Sequence, residues 1–460
     1  MKRTDCFPSG DRGQSYTSQS ATSSEVTGGR VMGEPLLRRI DMPSCGLRAA
    51  KIFLGLTFSF FSLAQTLTIP CYAGAILSPY SFASIGTFGV NGVNQYDIGQ
   101  THNNPVITDS AGNVLYTGVF VGSFAQGTLE AVFDFTSFAL GAGQTLTATS
   151  VPNKIDPLYS SPIVLLSYTS MTIAGTITAN GSDGAVGDVG TGGNAPPAGS
   201  GAGGTGYAGG GSGGSIVNGA SGMGGGPSGG GIGQAVNPAT GGGGGGFGGA
   251  GGNGAPSGDK AGGTGGAAVA TSLADKLQGG SGGGAGGGGG GGMINPAYSS
   301  GGGAGGGGIE LSACCSINIT GTINVNGGAG AAGYLGAGGG GSGGGILIAA
   351  NTVTIGNTGS LLAQGGGGGA TGNFGTAGGG GAGGEVYIET TLGGYTNNGM
   401  ISVSPGNAGI AEAVAGTMGT INTDTNFVPC PEPGFFLLTG LVLVSLVFAK
   451  RTQDAACHLA

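Results

Sequence analysis

The sequence predicts an all-β protein: a parallel β-helix, or β-solenoid, with long glycine-rich loops. Three observations predict it. Glycine supplies 116 of the 460 residues, roughly a quarter of the chain, where about 7% is usual. Short runs alternate apolar and polar residues with the period of a β-strand. These runs also recur. SMTIAGTITANGSDG from Ser170, SINITGTINVNGGAG from Ser316, NTVTIGNTGSLLAQGGGG from Asn351 and NNGMISVSPGNAG from Asn397 resemble one another.

Within one unit, Ile317, Ile319, Ile323 and Val325 fall on one side, and Asn318, Thr320, Thr322 and Asn324 on the other. Gly321 separates the two runs and suits a tight bend. Asn326-Gly327 and Asn180-Gly181 close their units with turn signals. Three units share a lead-in: GGGGIELSA, GGGGSGGGILIAA and GGAGGEVYIET. It sets Ile309, Ile346 and Val386 at offsets of 37 and 40 residues, an imperfect period of the kind repeat architectures show. A single unit cannot bury its apolar edge. Stacked units bury a continuous strip of Ile, Val and Leu and pair each strand with the next. Asn and Thr are expected to stack as polar ladders outside.

The chain divides as follows. Residues 1–75 hold a long polar stretch and a signal peptide. Arg48 and Lys51 precede the thirteen apolar residues 52–64, and Ala73 and Ala75 follow at the A-x-A cleavage spacing. Thirteen is short of the ~20 residues a membrane span needs. Met42 offers an internal start that leaves a signal of ordinary length. Residues 76–130 read as a β-rich cap with a hairpin turn at 109–113. Residues 131–427 are the coil. Its inserts at 181–308, 327–345 and 365–384 are expected as flexible or loosely packed loops, in preference to ordered glycine helices of the collagen type. AAVATSLADKLQ, residues 267–278, is the one helix candidate within them.

Composition excludes several chemistries. Eight of the thirteen Lys and Arg precede residue 52, and between 75 and 449 only Lys154, Lys260 and Lys276 remain. Fifteen Asp and Glu share that stretch, so it lacks the basic surface that nucleic acid requires. His102, in a THNNP turn, reads as a solvated loop residue. The seven cysteines make no metal-binding spacing. Cys314 and Cys315 read as one buried and one exposed thiol, with a strained vicinal disulfide as the alternative. The glycine motifs lack the strand–helix context that gives them meaning. Asp183, Asp188, Glu310, Glu385 and Glu389 read as solvated acidic residues, with Glu310 and Glu385 able to stack between units. No catalytic, metal-binding or cofactor-binding residue is assigned, and no enzymatic activity is expected.

Residues 428–451 read VPCPEPGFFLLTGLVLVSLVFAKR, followed by a short tail, 452–460. The apolar run 435–449 makes a helix about 22 Å long, a thin anchor for a ~30 Å hydrocarbon core. Pro431, Glu432 and Pro433, the apolar helix, and then Lys450 and Arg451 resemble the PEP-CTERM sorting signal. That resemblance implies an exported bacterial protein held transiently in the membrane and processed by an exosortase-like enzyme. It also implies surface or biofilm roles. The stretch from FDFTSFALGAGQTLTATS to TIAGTITANGSDG resembles glycine-rich β-helix proteins that are exported. The expected function is therefore a surface-associated structural or adhesive protein of the envelope or biofilm matrix, with extracellular polysaccharide as a partner. The alternative is a membrane-tethered, polysaccharide-active β-helix enzyme, which requires Glu310, Glu385 and Glu389 in one groove with Lys154 or calcium.

Overall fold

The computed structural model describes residues 87–88, 95–100, 105–121, 129–149, 161–186, 201–217, 220–234, 239–287, 300–333, 335–371, 375–410 and 412–427. Met42, the cleavage residues Ala73 and Ala75, and His102 and Lys154 lie outside them. So do Asp188 and the tail motif Pro431, Glu432, Pro433, Lys450 and Arg451. Every regular element among the described residues is a β-strand. No helix there is long and apolar enough to cross a membrane.

The strands stack in three columns. The first runs through Glu130–Phe135, Ile163–Ser167, the first halves of Gly308–Ile319 and Gly345–Ile355, then Glu385–Glu389 and Thr420–Asp424. The second runs through Thr87–Phe88, Ser137–Leu140, Ser170–Ile173, the second halves of the two long strands, and Tyr395–Asn397. The third holds Gln95–Gln100, Thr145–Ala148, Thr176–Thr178, Thr322–Asn324, Ser360–Leu362 and Met400–Ser402. All of these pairs are parallel. Parallel pairing therefore begins inside the segment expected as a cap. The hairpin of that segment pairs antiparallel on Gln95–Gln100. Its turn is tied by Asp109, whose Oδ1 accepts from the Ala111 and Asn113 amides at 2.9 and 2.8 Å, while Gly112 takes φ 81°.

The register follows the sequence period. Ile163, Ile309, Ile346 and Val386 are successive partners in the first column. Phe138, Met171, Ile317 and Val353 are partners in the second, and Leu146, Ile177, Ile323 and Leu361 in the third. All of these side chains are buried and meet in one core. Each such side chain stabilises by about 1.5–3 kcal/mol. Gly321 marks the corner between second and third columns. A Cβ there would run into the Gly175 carbonyl of the neighbouring turn, so only glycine fits. The polar ladder also forms. Asn180 Oδ1 accepts from the Asn326 amide at 2.8 Å, and Asn326 Oδ1 from the Gln364 amide at 2.7 Å.

The glycine segments depart from expectation. Where they are described, they are not loose loops: runs such as 241–246, 280–287 and 301–307 form an ordered, buried bundle beside the strand columns. Residues 241–246 are all buried, and their amides point outward in a three-residue rotation. Gly241 and Gly244 donate to Ala255 and Gly252, at 3.1 and 2.8 Å. Gly242 and Gly245 donate to Ala337 and Gly340, at 3.0 and 2.9 Å. Gly243 and Gly246 donate to Gly231 and Ser228, both at 2.9 Å. Their carbonyls accept in turn from Gly263 and Gly266, from Gly379 and Ala382, and from Gly284. A three-residue repeat without internal hydrogen bonds is the polyproline-II helix.

Residues 301–306 repeat the pattern, bonding in rotation to 182–185, 211–214 and 339–342. Glycine is required because the segments lie backbone to backbone. A Cβ on Gly243 would meet the Thr264 carbonyl.

Two smaller expectations also fail. Residues 267–278 form no helix, only a turn in which Asp275 and Lys276 donate to the Ser272 carbonyl at 3.0 and 3.2 Å. Leu273 and Leu277 are buried from that segment against Val132, Val164, Leu166 and Phe247, so packing on the strands outweighs local propensity. Cys314 is not a thiol but disulfide-bonded. Cys315 remains a thiol, so the pair is not vicinal and Cys314's partner lies outside the described residues.

Candidate functional site

Alternation along the first column sends every second residue away from the core. On that outer face two registers run across the strands. One carries Val132, Val164, Glu310, Leu347, Tyr387 and Asn422. The other carries Asp134, Leu166, Ser312, Ala349, Glu389 and Asp424. Residues 272–278 cross over this face. The result is an apolar patch bordered by carboxylates and two tyrosines.

Asp134 is 2% exposed. Its Oδ2 accepts from the Tyr168 hydroxyl at 2.7 Å, and its Oδ1 has no hydrogen-bond partner among the described residues. Burial pushes its carboxyl up to about 6, against the opposing Tyr168 bond. Glu310 accepts from the Ser312 hydroxyl at 2.9 Å. Burial, together with the charges of Glu130 and Glu389, raises it to about 7, while the Ser312 bond works the other way. Glu389 is raised by burial and then by Asp424, its direct register partner. Adjacent strands lie about 4.8 Å apart, close enough for two carboxylates to resist simultaneous ionisation. Glu130 is raised by burial, with Lys276 opposing. The Tyr387 hydroxyl donates to Asp424 Oδ2 at 3.1 Å.

Of the acidic residues marked in the sequence, Glu310, Glu385 and Glu389 all lie on this outer face. Glu385 does not stack with Glu310. Its register partner is Gly345, whereas Glu310 aligns with Leu347. Glu385 is buried and accepts from the Leu273 amide at 3.4 Å and the Asn422 amide group at 3.2 Å, so it pins the crossing segment to the strands. Asp183 bonds the Ala329 amide at 2.7 Å and serves the ladder.

Sequence reasoning missed Glu130, Asp134, Tyr168, Tyr387 and Asp424. Aligning the lead-ins two strands further toward the N-terminus would have placed Asp134 in line with Glu389, and one strand further toward the C-terminus would have added Asp424.

Chemically, the face holds carboxyl groups that exchange protons near neutrality beside tyrosine hydroxyls. Such groups hydrogen-bond polyols in both protonation states. Among the described residues, no group of His, Cys, Asp or Glu is placed to hold a metal ion. No protein-family model matches the chain, and neither a curated protein nor a solved structure matches it.

Proposed function

We propose that the chain is an exported, surface-associated structural or adhesive protein: a β-solenoid reinforced by glycine helices. It is sorted by an exosortase-like enzyme acting on the tail at 428–451 and contributes to envelope or biofilm matrix. The observation that carries this reading is the glycine bundle. It uses its backbone donors and acceptors internally and leaves almost no side chain for chemistry. A fold of that kind is suited to rigidity and to exposure outside the cell. The Cys314 disulfide is in keeping with an oxidising compartment.

The test is mass spectrometry of both termini of the native protein, with its cell fraction. An N-terminus at Gly74 or Ile76 and a C-terminus at the Pro-Glu-Pro motif are expected. A membrane-embedded chain with an intact C-terminus would refute the sorting step.

The acidic face favours a second reading, an extracellular polysaccharide-active enzyme. A carboxyl raised to about 7, as in Glu310, suits a general acid. Release of reducing ends from acidic or neutral polysaccharide, abolished in Glu310→Gln, would establish it. The same rate in wild type and variant would discard it.

A further inference from the structure

The two ends of the strand columns are finished differently. At the N-terminal end, two columns are closed by antiparallel strands. Pro105–Asp109 and then Val114–Thr117 cover Gln95–Gln100, and Val119–Val121 covers Glu130–Phe135. At the C-terminal end, Tyr395–Asn397, Met400–Ser402 and Thr420–Asp424 are each the last strand of their column. Among the described residues nothing pairs with their outer edges. Such an edge presents a row of unpaired amides and carbonyls, and proteins usually guard it with Lys, Pro or a covering element. Here neither Met400–Ser402 nor Thr420–Asp424 contains Pro, and residues 395–427 contain no Lys or Arg. Large apolar side chains stand exposed on the same turn: Met400 at 51%, Val414 at 52%, Met418 at 67% and Ile421 at 47%.

We propose that this C-terminal turn is an assembly face that binds the same face of a second copy of the chain. Three features select that occupant. The open edges are in the first and third columns at this end only, and those two columns are capped at the other. Head-to-tail pairing is therefore blocked in those two columns, which among the described residues leaves only the two-residue Thr87–Phe88 edge of the second column at that end, and end-to-end pairing is the arrangement the open edges favour. Two identical ends meeting across a two-fold axis wind in opposite senses, so their edge strands meet antiparallel and can exchange backbone hydrogen bonds. The turn at 395–427 is also large enough. A standard interface draws roughly 20–30 residues from each side. The face carries few charges, Glu412 and Asp424. Both are negative, so raised salt should strengthen the pairing.

Sedimentation analysis of the full chain tests this. A concentration-dependent two-chain species is expected. Met418→Lys and Met400→Lys, both at exposed side chains, should each weaken it by about tenfold or more, the equivalent of about 1.4 kcal/mol, with unfolding temperatures unchanged. Val114→Lys, an equally exposed site on the capped end, should leave it at wild-type strength. A monomer at every concentration would overturn the proposal, including one whose Thr420–Asp424 amides are protected from hydrogen exchange by residues 428–460. A dimer that both variants leave intact would overturn it too.

Discussion

The strand columns and the glycine bundle lie in the same turns of chain but are held together by opposite means. In the columns, side chains do the binding. Ile317, Ile323 and their register partners are fully buried, and the stability is that of apolar area removed from water. In the bundle, side chains are few and small, such as Ala304, Ala337 and Ser342. Helices such as 241–246 touch through backbone, and each amide is matched to a carbonyl on a different neighbour. A single amide hydrogen bond contributes only about 0.5–1.5 kcal/mol net, and glycine loses the most entropy on ordering. The bundle is therefore stable only as a lattice in which every segment is in place. The columns tolerate local variation; the bundle tolerates it only where no neighbouring backbone lies against the added Cβ.

Substitutions can break this contrast. The largest effect is expected at Gly243→Val. Its side chain would enter space held by the Thr264 carbonyl, and a loss above about 5 kcal/mol should remove cooperative unfolding by calorimetry. Ile323→Ala opens a cavity in the column core and should cost about 2–5 kcal/mol, read by denaturant titration, with the fold intact. If Ile323→Ala proved the more damaging of the two, the ranking of the regions would be reversed.

The acidic face gives a pH effect of intermediate size. Asp134 and Glu310 have folded-state values raised to about 6 and about 7. The folded state therefore binds more protons than the unfolded chain between about pH 4 and pH 7. Stability falls as pH rises through that window and is level above it, by an amount on the order of 1–3 kcal/mol. Glu310→Gln should flatten the upper part of the profile in denaturation curves taken across it. The smallest effect sharpens the picture of the bundle. At Gly367 a Cβ would meet only the Asn407 carbonyl, at an ordinary 3.7 Å. Gly367→Ala should stabilise by about 0.4–1 kcal/mol by restricting the unfolded chain, measured as a small rise in melting temperature.

Part of the candidate site was legible in the sequence and part was not. Glu310 and Glu389 stand out in strand lead-ins because the surrounding alternation is regular. Asp134 sits in an equally regular run, EAVFDF, but nothing local says that Leu166 and Ser312 carry its register across to Glu389. Tyr168 reaches Asp134 across 34 positions, and Lys276 reaches Glu130 only because residues 272–278 fold back over the strands. The raised carboxyl values arise from burial and from like charges on neighbouring strands, which no local run of sequence marks.

The sequence by itself determined the repeating strands, their inward faces, the corner at Gly321 and the offsets that became register. Each of these depends on residue types at short, regular spacing, and side-chain alternation is set by the local backbone. Only the tertiary structure decided that the glycine runs are ordered. A glycine run carries no side-chain pattern to mark its partners, and residues 241–246 bond to segments that begin and end up to a hundred and more residues away. Isolated, such a run is coil. Its order comes entirely from neighbours already in place, and the strand columns are what hold those neighbours at the required spacing.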